Sequence, residues 1–177
     1  MPIPPMRNDV QKRGLTQLCD WAKQQGARDR AVEIGAYAGE GTVIFAAHFG
    51  EVVAVDPWVN GYDDGDLASH QAPMETVFGE WQARTAPFPN IRHIRATAAD
   101  AAAHFGDGSL DFVYVDGDHR YGAVLSDLTL YLPKLKKGGV MSGHDLSFVS
   151  VQTALREVFG ERSDPTLFDG DSWGLVV

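Results

Sequence analysis

The sequence contains a single cysteine, Cys19, among its 177 residues. One thiol cannot form an internal disulfide, and it cannot build a zinc site from several cysteines. No apolar run approaches the ~20 residues of a membrane span, and the first residues lack the apolar core of a signal peptide. We therefore expect a protein of the cytoplasm that has no membrane partner.

Basic side chains are also scarce, with 15 Lys and Arg against 24 Asp and Glu and a net charge of −9. This balance argues against a nucleic-acid partner, because tracking phosphates requires a basic face. The charge is uneven, since residues 1–30 carry six basic and three acidic side chains while the remainder carries nine and 21. The N-terminal segment is either a solvated basic helix or a segment that helps to cover an anionic ligand.

Strand and helix patterns alternate along the chain, which predicts a parallel sheet with helices on both faces. Predicted strands cover 31–34, 52–55, 91–95, 110–115, 139–142, 166–168 and 173–177, and predicted helices cover 9–25, 42–49, 121–132 and 149–159. The last two strands are too close for a crossover helix and must pair antiparallel. The fold class is α/β: a doubly wound, mostly parallel, seven-stranded Rossmann-like sheet with a C-terminal antiparallel hairpin strand.

The length favours one domain spanning 1–177, with an N-terminal helical segment at 1–29. The stretch 57–90 departs from the alternation and is long for a connection without its own structure. It holds an acidic loop at 62–66 and a helical pattern through Glu80 and Trp81. We interpret this stretch as a partly helical insert over the active site.

Glycines follow the first predicted strand, at the edge where ligands bind in such sheets. Gly35, Gly39 and Gly41 let a ligand approach the backbone, and the next helix offers free N–H groups. Their spacing differs from the G-x-G-x-x-G of dinucleotide-binding proteins. Glu33, two positions before the first glycine, suits a cationic ligand better than a pyrophosphate. The alternative is a tight turn with no ligand.

Two further acids follow the second and third predicted strands. Asp56 lies at the distance from the glycines at which an acid commonly binds ribose hydroxyls, or it is a turn residue before Pro57. After the third strand, small residues at 96–99 leave room for a flat ring. Asp100 accepts from an exocyclic amine, caps a helix, or does both.

Acids and imidazoles follow the fourth and fifth predicted strands, which should be neighbours. The group comprises Asp116, Asp118, His119, His144 and Asp145. So many carboxylates repel one another unless a cation or protons intervene. A divalent metal such as Mg²⁺ or Mn²⁺ would satisfy them. The alternative is a loop cap packed against an imidazole.

These motifs resemble class I S-adenosylmethionine-dependent methyltransferases. The resemblance rests on Val32-Glu-Ile-Gly-Ala-Tyr-Ala-Gly39, Val53-Ala-Val-Asp-Pro57 and Val113-Tyr-Val-Asp-Gly-Asp-His119, and it extends over residues 30–160. The Asp-Gly-Asp-His element, the helix after it, and the later His144-Asp145 pair are similar to the metal-dependent macrocin-type and aminocoumarin sugar O-methyltransferases.

The resemblance implies roles for individual residues. The methionine end of the cofactor would be shaped by Glu33, Gly35, Ala36, Tyr37 and Gly39. Asp56 would bind the ribose, with Trp58 against the adenosine, and the remaining cofactor contacts would be Ala98, Ala99, Asp100 and Asp116. The metal ligands of the relatives correspond to Asp116, His144 and Asp145, although the relatives have Asp where this chain has His144. Their base corresponds to Asp118, with His119 as the neighbouring alternative.

The function predicted from these residues is transfer of a methyl group to a small-molecule acceptor, at a hydroxyl oxygen. The transfer is an in-line displacement that needs alignment, a metal to acidify the hydroxyl, and a carboxylate or histidine to take its proton. A metal-free enzyme with a histidine base is the nearest alternative. A nicotinamide-dependent oxidoreductase and a non-catalytic cofactor-binding module are the others.

For a homo-oligomer, the edge hairpin and the first helix are candidate contacts.

Overall fold

One mixed sheet forms the centre of the computed structural model, which describes residues 3, 5–62, 70, 72–160 and 164–177. Its strands are β1 (Arg30–Ile34), β2 (Glu51–Val55), β3 (Ile91–Ile94), β4 (Leu110–Val115), β5 (Leu135–Gly143), β6 (Thr166–Phe168) and β7 (Ser172–Val176). The order across the sheet is β3-β2-β1-β4-β5-β7-β6. Strands β1 to β5 are parallel, whereas β7 pairs antiparallel with both β5 and β6. The predicted fold class is confirmed.

Helices cover both faces of the sheet. They are α1 (Asp9–Gln24), α2 (Glu40–Ala46), α3 (Met74–Thr85), α4 (Ala98–Ala101), α5 (Tyr121–Tyr131) and α6 (Val149–Phe159). The chain runs outward from β1 to β3 and then returns to place β4 on the other side of β1. This reversal puts the switch point between β1 and β4, where ligands bind in doubly wound sheets.

The hydrophobic core is divided by the sheet, because successive strand residues point to opposite faces. On one face, Phe112 and Tyr114 pack with the buried residues of α1, α2 and α3. On the other, Val113 and Val115 pack with those of α4, α5 and α6. All residues of β4 are buried, which explains the nearly continuous apolar run of this central strand.

Local sequence explains where the first helices begin. Asn8 caps α1, since its side chain accepts from the Gln11 backbone N–H and the Gln11 side chain accepts in return from the Asn8 backbone. Helix α2 follows Gly39, whose φ of +83° lies in the left-handed region that glycine adopts without strain. The helix therefore begins at Glu40, two residues before its predicted start at Thr42.

The predicted start of the fifth strand differs from the structure for a reason that lies in strand pairing. Strand β5 begins at Leu135 rather than at 139, because Leu135 already pairs with Leu110 of β4. The register shifts between Leu110 and Phe112, and Gly138 has a φ of +81°. This irregular stretch has a turn-like sequence, which conceals the first part of the strand.

The insert predicted at 57–90 contains helix α3, as its pattern indicates. Beyond Tyr62, the predicted acidic loop lies outside the described residues. In the parts of the chain that are described, no helix is both long enough and apolar enough to span a membrane.

Candidate functional site

Two adjoining cavities open at the carboxyl ends of the parallel strands. The larger, the charged cavity, has a volume of about 560 Å³ and the smaller, the small cavity, about 190 Å³. Gly35, Tyr37 and Asp116 line both. Since these residues follow β1 and β4, the shared wall lies at the switch point, and the two cavities together suit one elongated ligand.

The shared wall depends on a glycine with a left-handed backbone. Gly35 has a φ of +84°, and a Cβ built there would overlap the carbonyl oxygen of Asp116. The Gly35 N–H donates to Val55 at 2.9 Å, and the Asp116 N–H donates to Ile34 at 2.9 Å. The ends of three neighbouring strands are thus tied together where the cavities meet.

Glu33 lies at the floor of the charged cavity and is 1% exposed. Burial raises the pKa of this carboxyl to about 8, so it binds a proton at neutral pH. Thr42 donates its hydroxyl hydrogen to Glu33, and Trp81 Nε1 donates to Thr42 at 3.2 Å. A Cβ at Gly41 would overlap Glu33 Oε1. The glycine spacing therefore makes room for this carboxyl as well as for the turn.

Asp56 organises the turn that separates the cavities. One carboxylate oxygen accepts from the Tyr37 N–H at 2.9 Å and the other from the Trp58 N–H at 2.7 Å. Burial raises the pKa of Asp56. Asp56 lines the small cavity, whereas Trp58 is 2% exposed and packs against Phe78 and Trp81. Trp58 is thus outside the cavity lining, and its predicted contact with adenosine stays a prediction.

The residues after β3 divide between the cavity and the solvent. Ala98 and Ala99 line the small cavity. Thr97 caps α4 by accepting from the Asp100 N–H at 3.1 Å, and the Asp100 carboxylate accepts from the Thr97 hydroxyl at 2.8 Å. Asp100 is exposed and does not line the cavity. The structure therefore shows its capping role, and its contact with an amine stays a prediction.

Charged groups converge on one wall of the charged cavity. Asp145 Oδ2 lies 2.7 Å from His119 Nε2 and 3.1 Å from His144 Nδ1. Asp116 forms an ion pair with Arg7, and its Oδ1 lies 3.7 Å from His144 Nδ1 and 3.8 Å from His119 Nε2. The neighbouring strands thus bring together the predicted residues Asp116, His119, His144 and Asp145.

Opposite charges decide the ionisation of this wall. The carboxylates of Asp116 and Asp145 raise the pKa of His119 to about 10. Burial alone would lower the pKa of His144, but the hydrogen bond to Asp145 and the charge of Asp116 outweigh it and raise that pKa. Burial would raise the pKa of Asp116, yet the charges of Arg7 and His144 and the hydrogen bond from His119 together outweigh it and lower that pKa. Cations and anions are therefore matched within the wall.

Asp118 is placed apart from this wall. It lines the small cavity, whereas His119 lines the charged one. Its Oδ1 accepts from the Arg120 backbone N–H at 2.8 Å and from Arg120 Nε at 2.9 Å. These hydrogen bonds outweigh the effect of burial and lower the pKa of Asp118. Of the two predicted bases, His119 is the one in the charged cavity.

Three of these side chains fit a divalent cation. Asp116, His144 and Asp145 each offer a ligand atom, and these atoms lie within 4.8 Å of one another. Nε2 of His144 lies 2.7 Å from the Gly170 carbonyl oxygen. Donation from Nε2 to that carbonyl leaves Nδ1 as the ligand atom, an arrangement common among metal-binding histidines. Two carboxylates and an imidazole suit Mg²⁺ or Mn²⁺.

Arg7 is a site residue that the sequence analysis did not single out. Its side chain is buried over the ring of Tyr114, with the guanidinium carbon 5.8 Å from the ring centre. Glu40 holds this segment, accepting from the Met6 N–H at 2.7 Å and from the Arg7 N–H at 3.0 Å. The basic N-terminal segment was the available signal, but nothing in it distinguishes Arg7 from its basic neighbours.

Asp127 of α5 belongs to the helix motif that contributes to the family resemblance, but the sequence analysis assigned it no role in the site. It lines the small cavity and is 7% exposed. Burial, together with the charge of Asp118, raises its pKa to about 7. The signal was an acidic residue at helical spacing between the apolar Val124 and Tyr131, where a buried face is expected.

Comparisons with known proteins agree with this geometry. The family described as "Methyltransferase domain" matches residues 32–146, a stretch that contains the ends of β1, β2, β4 and β5. Among curated protein sequences, no match was found.

Solved structures share the fold at low identity. The cofactor-bound Rv0187 from MTB is 20% identical with a TM-score of 0.65, over 98% of this chain and 83% of that one. A putative caffeoyl-CoA O-methyltransferase from Staphylococcus aureus is 15% identical with a TM-score of 0.65, over 98% and 86%. CalS11, a TDP-rhamnose 3'-O-methyltransferase of calicheamicin biosynthesis, is 15% identical with a TM-score of 0.61, over 91% and 77%. Other matched chains are longer, and this chain spans 50% of one and 26% of another.

Proposed function

The chain belongs to the methyltransferase domain family, and we propose that it transfers a methyl group from S-adenosylmethionine to a hydroxyl oxygen of a small-molecule acceptor. The observation that carries this proposal is the pair of cavities joined at Gly35, Tyr37 and Asp116. S-Adenosylmethionine likewise has two parts, a nucleoside and a charged amino acid, joined at the sulfonium.

The nucleoside is assigned to the small cavity. Asp56 lines it and has a carboxylate whose remaining lone pairs can accept from the two ribose hydroxyls. The small side chains of Ala98 and Ala99 leave space for a flat base. The methionine part is assigned to the charged cavity, where Glu33 lies near the turn formed by Gly35, Ala36, Tyr37 and Gly39.

The acceptor is assigned to the charged wall. In the transfer, the acceptor oxygen attacks the methyl carbon, the carbon–sulfur bond breaks, and the hydroxyl proton leaves to a base. His119 is the base we assign, because it lines this cavity and Asp118 does not. With a pKa of about 10 it must first lose its own proton, and a cation held by Asp116 and Asp145 would favour that loss by neutralising the carboxylates that raise this pKa. Asp145, 2.7 Å from His119 Nε2, orients the imidazole and stabilises its protonated form. Arg120 holds Asp118 at the neighbouring wall.

Asp116, His144 and Asp145 would hold a divalent cation, which would lower the pKa of an acceptor hydroxyl bound to it. An O-methyltransferase is supported by two of the similar structures, one of which acts on a TDP-sugar. The macrocin-type and aminocoumarin sugar branch remains our proposal for the acceptor class. A cytoplasmic location and a homo-oligomer stay predictions.

Calorimetric titration with S-adenosylhomocysteine tests the cofactor assignment. We expect micromolar binding by the wild-type protein and about tenfold weaker binding by Asp56→Asn, which loses a ribose acceptor. Asp107→Asn is the matched control. Because Asp107 is exposed, pairs with Lys134 and lies outside both cavities, the affinity of this variant should stay within about twofold of wild type.

Absence of binding to folded wild-type protein would overturn the proposal, and titration with NAD(H) would then test the oxidoreductase alternative. Equal weakening by both variants would instead show that Asp56 has no particular role. Repeating the titration with Mg²⁺ or Mn²⁺, and assaying transfer before and after chelation, tests the metal. Activity that survives chelation would favour a metal-free reaction with His119 as base.

A further inference from the structure

The small cavity contains one carboxyl group that the proposed function does not use. Asp127 is 7% exposed and lines this cavity. Among the described residues, no backbone or side-chain group forms a hydrogen bond with its carboxyl. Burial of an unpaired polar group costs free energy, so such groups usually have a partner. A ligand in the cavity would supply one.

The position of Asp127 on α5 directs it to the part of the cavity assigned to the base. Asp127 and Tyr131 are four residues apart and therefore lie on the same face of the helix. The Tyr131 hydroxyl donates to the Ala98 carbonyl at 2.9 Å, which fixes this face beside the start of α4. Ala98 and Ala99 line the same cavity. By contrast, Asp100 is exposed and pairs with Thr97.

The rest of the cavity wall explains what kind of ligand this carboxyl would meet. Eight of the seventeen lining residues that the structure describes have apolar side chains, namely Ile34, Val55, Pro57, Val59, Met74, Ala98, Ala99 and Ala123. Apolar side chains combined with placed polar groups are typical of a site for a flat aromatic ring whose edge is read by hydrogen bonds. Asp56 is already assigned to the ribose, and the other two acids described in the lining, Asp116 and Asp118, are paired with arginines. Of these lining acids, Asp127 is therefore the one left for the base.

We propose that Asp127 recognises the hydrogen-bonding edge of the adenine base, a role that rests on the proposed cofactor. A protonated carboxyl group presents one acceptor and one donor side by side. Adenine presents the complementary pair, since its 6-amino group donates and the adjacent ring nitrogen accepts. The two groups can therefore form two hydrogen bonds.

The surroundings of Asp127 favour the protonated form. Burial and the charge of Asp118 raise its pKa to about 7. Asp56, Asp116 and the Tyr62 hydroxyl line the same cavity, and Tyr131 lies one turn along α5. Arg120, the nearby cation, is paired with Asp118. Below neutral pH, Asp127 thus has a proton to donate, and at neutral pH about half of the molecules keep it.

The test compares two ligands on the wild-type protein. One is S-adenosylhomocysteine and the other its 6-deamino analogue, in which purine replaces adenine. If Asp127 accepts from the 6-amino group, the wild type should prefer the adenine compound by about tenfold. Asp127→Ala should bind the adenine compound about tenfold more weakly and lose the preference. A merely structural role would not remove discrimination between two ligands that differ in one amino group.

Asp127→Asn keeps a donor and an acceptor but cannot ionise. We expect it to retain affinity within about threefold and to preserve the preference. Wild-type affinity should fall relative to that of Asp127→Asn as the pH rises through about 7, because the ionised carboxylate loses its donor, whereas other titrating groups such as Glu33 affect both proteins alike. Asp111→Asn is the matched control, since Asp111 has the same 7% exposure, is bonded to Arg30 and Lys136, and lies outside both cavities.

Each outcome decides a different point. If the wild type binds S-adenosylhomocysteine but does not discriminate against the analogue, the role of Asp127 is wrong and the proposed function stands. If Asp127→Ala keeps the preference, the role is also wrong. If folded wild-type protein binds neither compound, both the role and the proposed cofactor are overturned. The ligand comparison on the wild type requires no variant to fold.

Discussion

Asp116 and Asp145 of the charged cavity differ from Asp127 of the small cavity in how their charge is compensated. In the charged cavity, Asp116 has Arg7 beside it and Asp145 has His119 and His144. In the small cavity, Asp127 has no such cation among the described residues and has a raised pKa. Matched charges hold ionised groups in place before a ligand arrives. An unmatched, protonated carboxyl instead keeps its hydrogen bonds available for a neutral ligand.

This difference agrees with the two halves of the proposed cofactor. The methionine half carries charges and lies next to the reaction, where groups must be oriented in advance. The adenine half is neutral and needs recognition only. A single glycine-containing wall separates the two environments, so variants in that wall and on either side of it can alter one cavity or both.

Gly35→Ala should disrupt both cavities and have the largest effect. The new Cβ would overlap the Asp116 carbonyl oxygen and force a left-handed backbone on alanine. We expect the free energy of unfolding to fall by about 4 kcal/mol or more, since neither backbone can shift cheaply. Urea denaturation measures this change. The control is Gly122→Ala in α5, where nothing lies near the added carbon and stability should be unchanged or raised. Equal stability of the two variants would contradict the tight wall.

Arg7→Met should damage the charged cavity alone. Loss of the guanidinium leaves Asp116 buried without its cation, which should lower the free energy of unfolding by about 3 kcal/mol. If the wall holds a metal, Mn²⁺ should stabilise this variant more than it stabilises the wild type, as measured by thermal unfolding. Arg13→Met is the control, because its ion pair with Asp169 is exposed and should matter little. Similar losses in both variants would show that Arg7 is an ordinary surface residue.

Glu33→Gln should have the smallest effect on the free energy of unfolding, and it should raise that free energy rather than lower it. Because the folded pKa of Glu33 is raised to about 8 from 4.5, the folded state binds this proton more tightly than the unfolded state. Stability therefore falls as the pH rises from about 4.5 to about 8. Glutamine avoids this cost and still accepts from Thr42, so the variant should be about 2 kcal/mol more stable near pH 8.

The gain from Glu33→Gln should disappear below pH 4.5, where both states are protonated. Unfolding curves across this pH range measure the difference. Glu51→Gln is the control, since Glu51 lies at the partly exposed end of β2 and pairs with Arg30. A gain that does not depend on pH would contradict a buried, protonated Glu33.

Periodic patterns predicted most of the fold because they are local. Strand residues alternate between two apolar faces, and each helix carries an apolar stripe, so element types could be read without knowing their partners. The grouping of residues that follow the ends of strands could also be predicted from the sequence, because parallel strands bring those ends to one edge of the sheet. This is why Asp116, Asp118, His119, His144 and Asp145 were predicted to lie together, and the structure brings all of them except Asp118 to the charged cavity.

The burial of individual side chains and their long-range partners could not be predicted from the sequence in this way. Trp58 and Asp100 were both assigned to the cofactor from their positions after strands. The structure packs Trp58 among aromatic rings and turns Asp100 toward Thr97 and solvent. The direction in which the side chain of a residue after a strand points depends on its packing, and sequence spacing does not specify that direction.

The sequence by itself determined the alternation of strands and helices, the glycine turn after β1, and the acids that follow the strands, since all depend on neighbours within a few residues. Only the tertiary structure decided which carboxyl groups are paired. Arg7 reaches Asp116 from 109 positions away, and Asp127 meets the small cavity because α5 packs beside α4. Charge compensation and solvent exclusion are properties of three-dimensional proximity, and these properties distinguish Asp116 from Asp127.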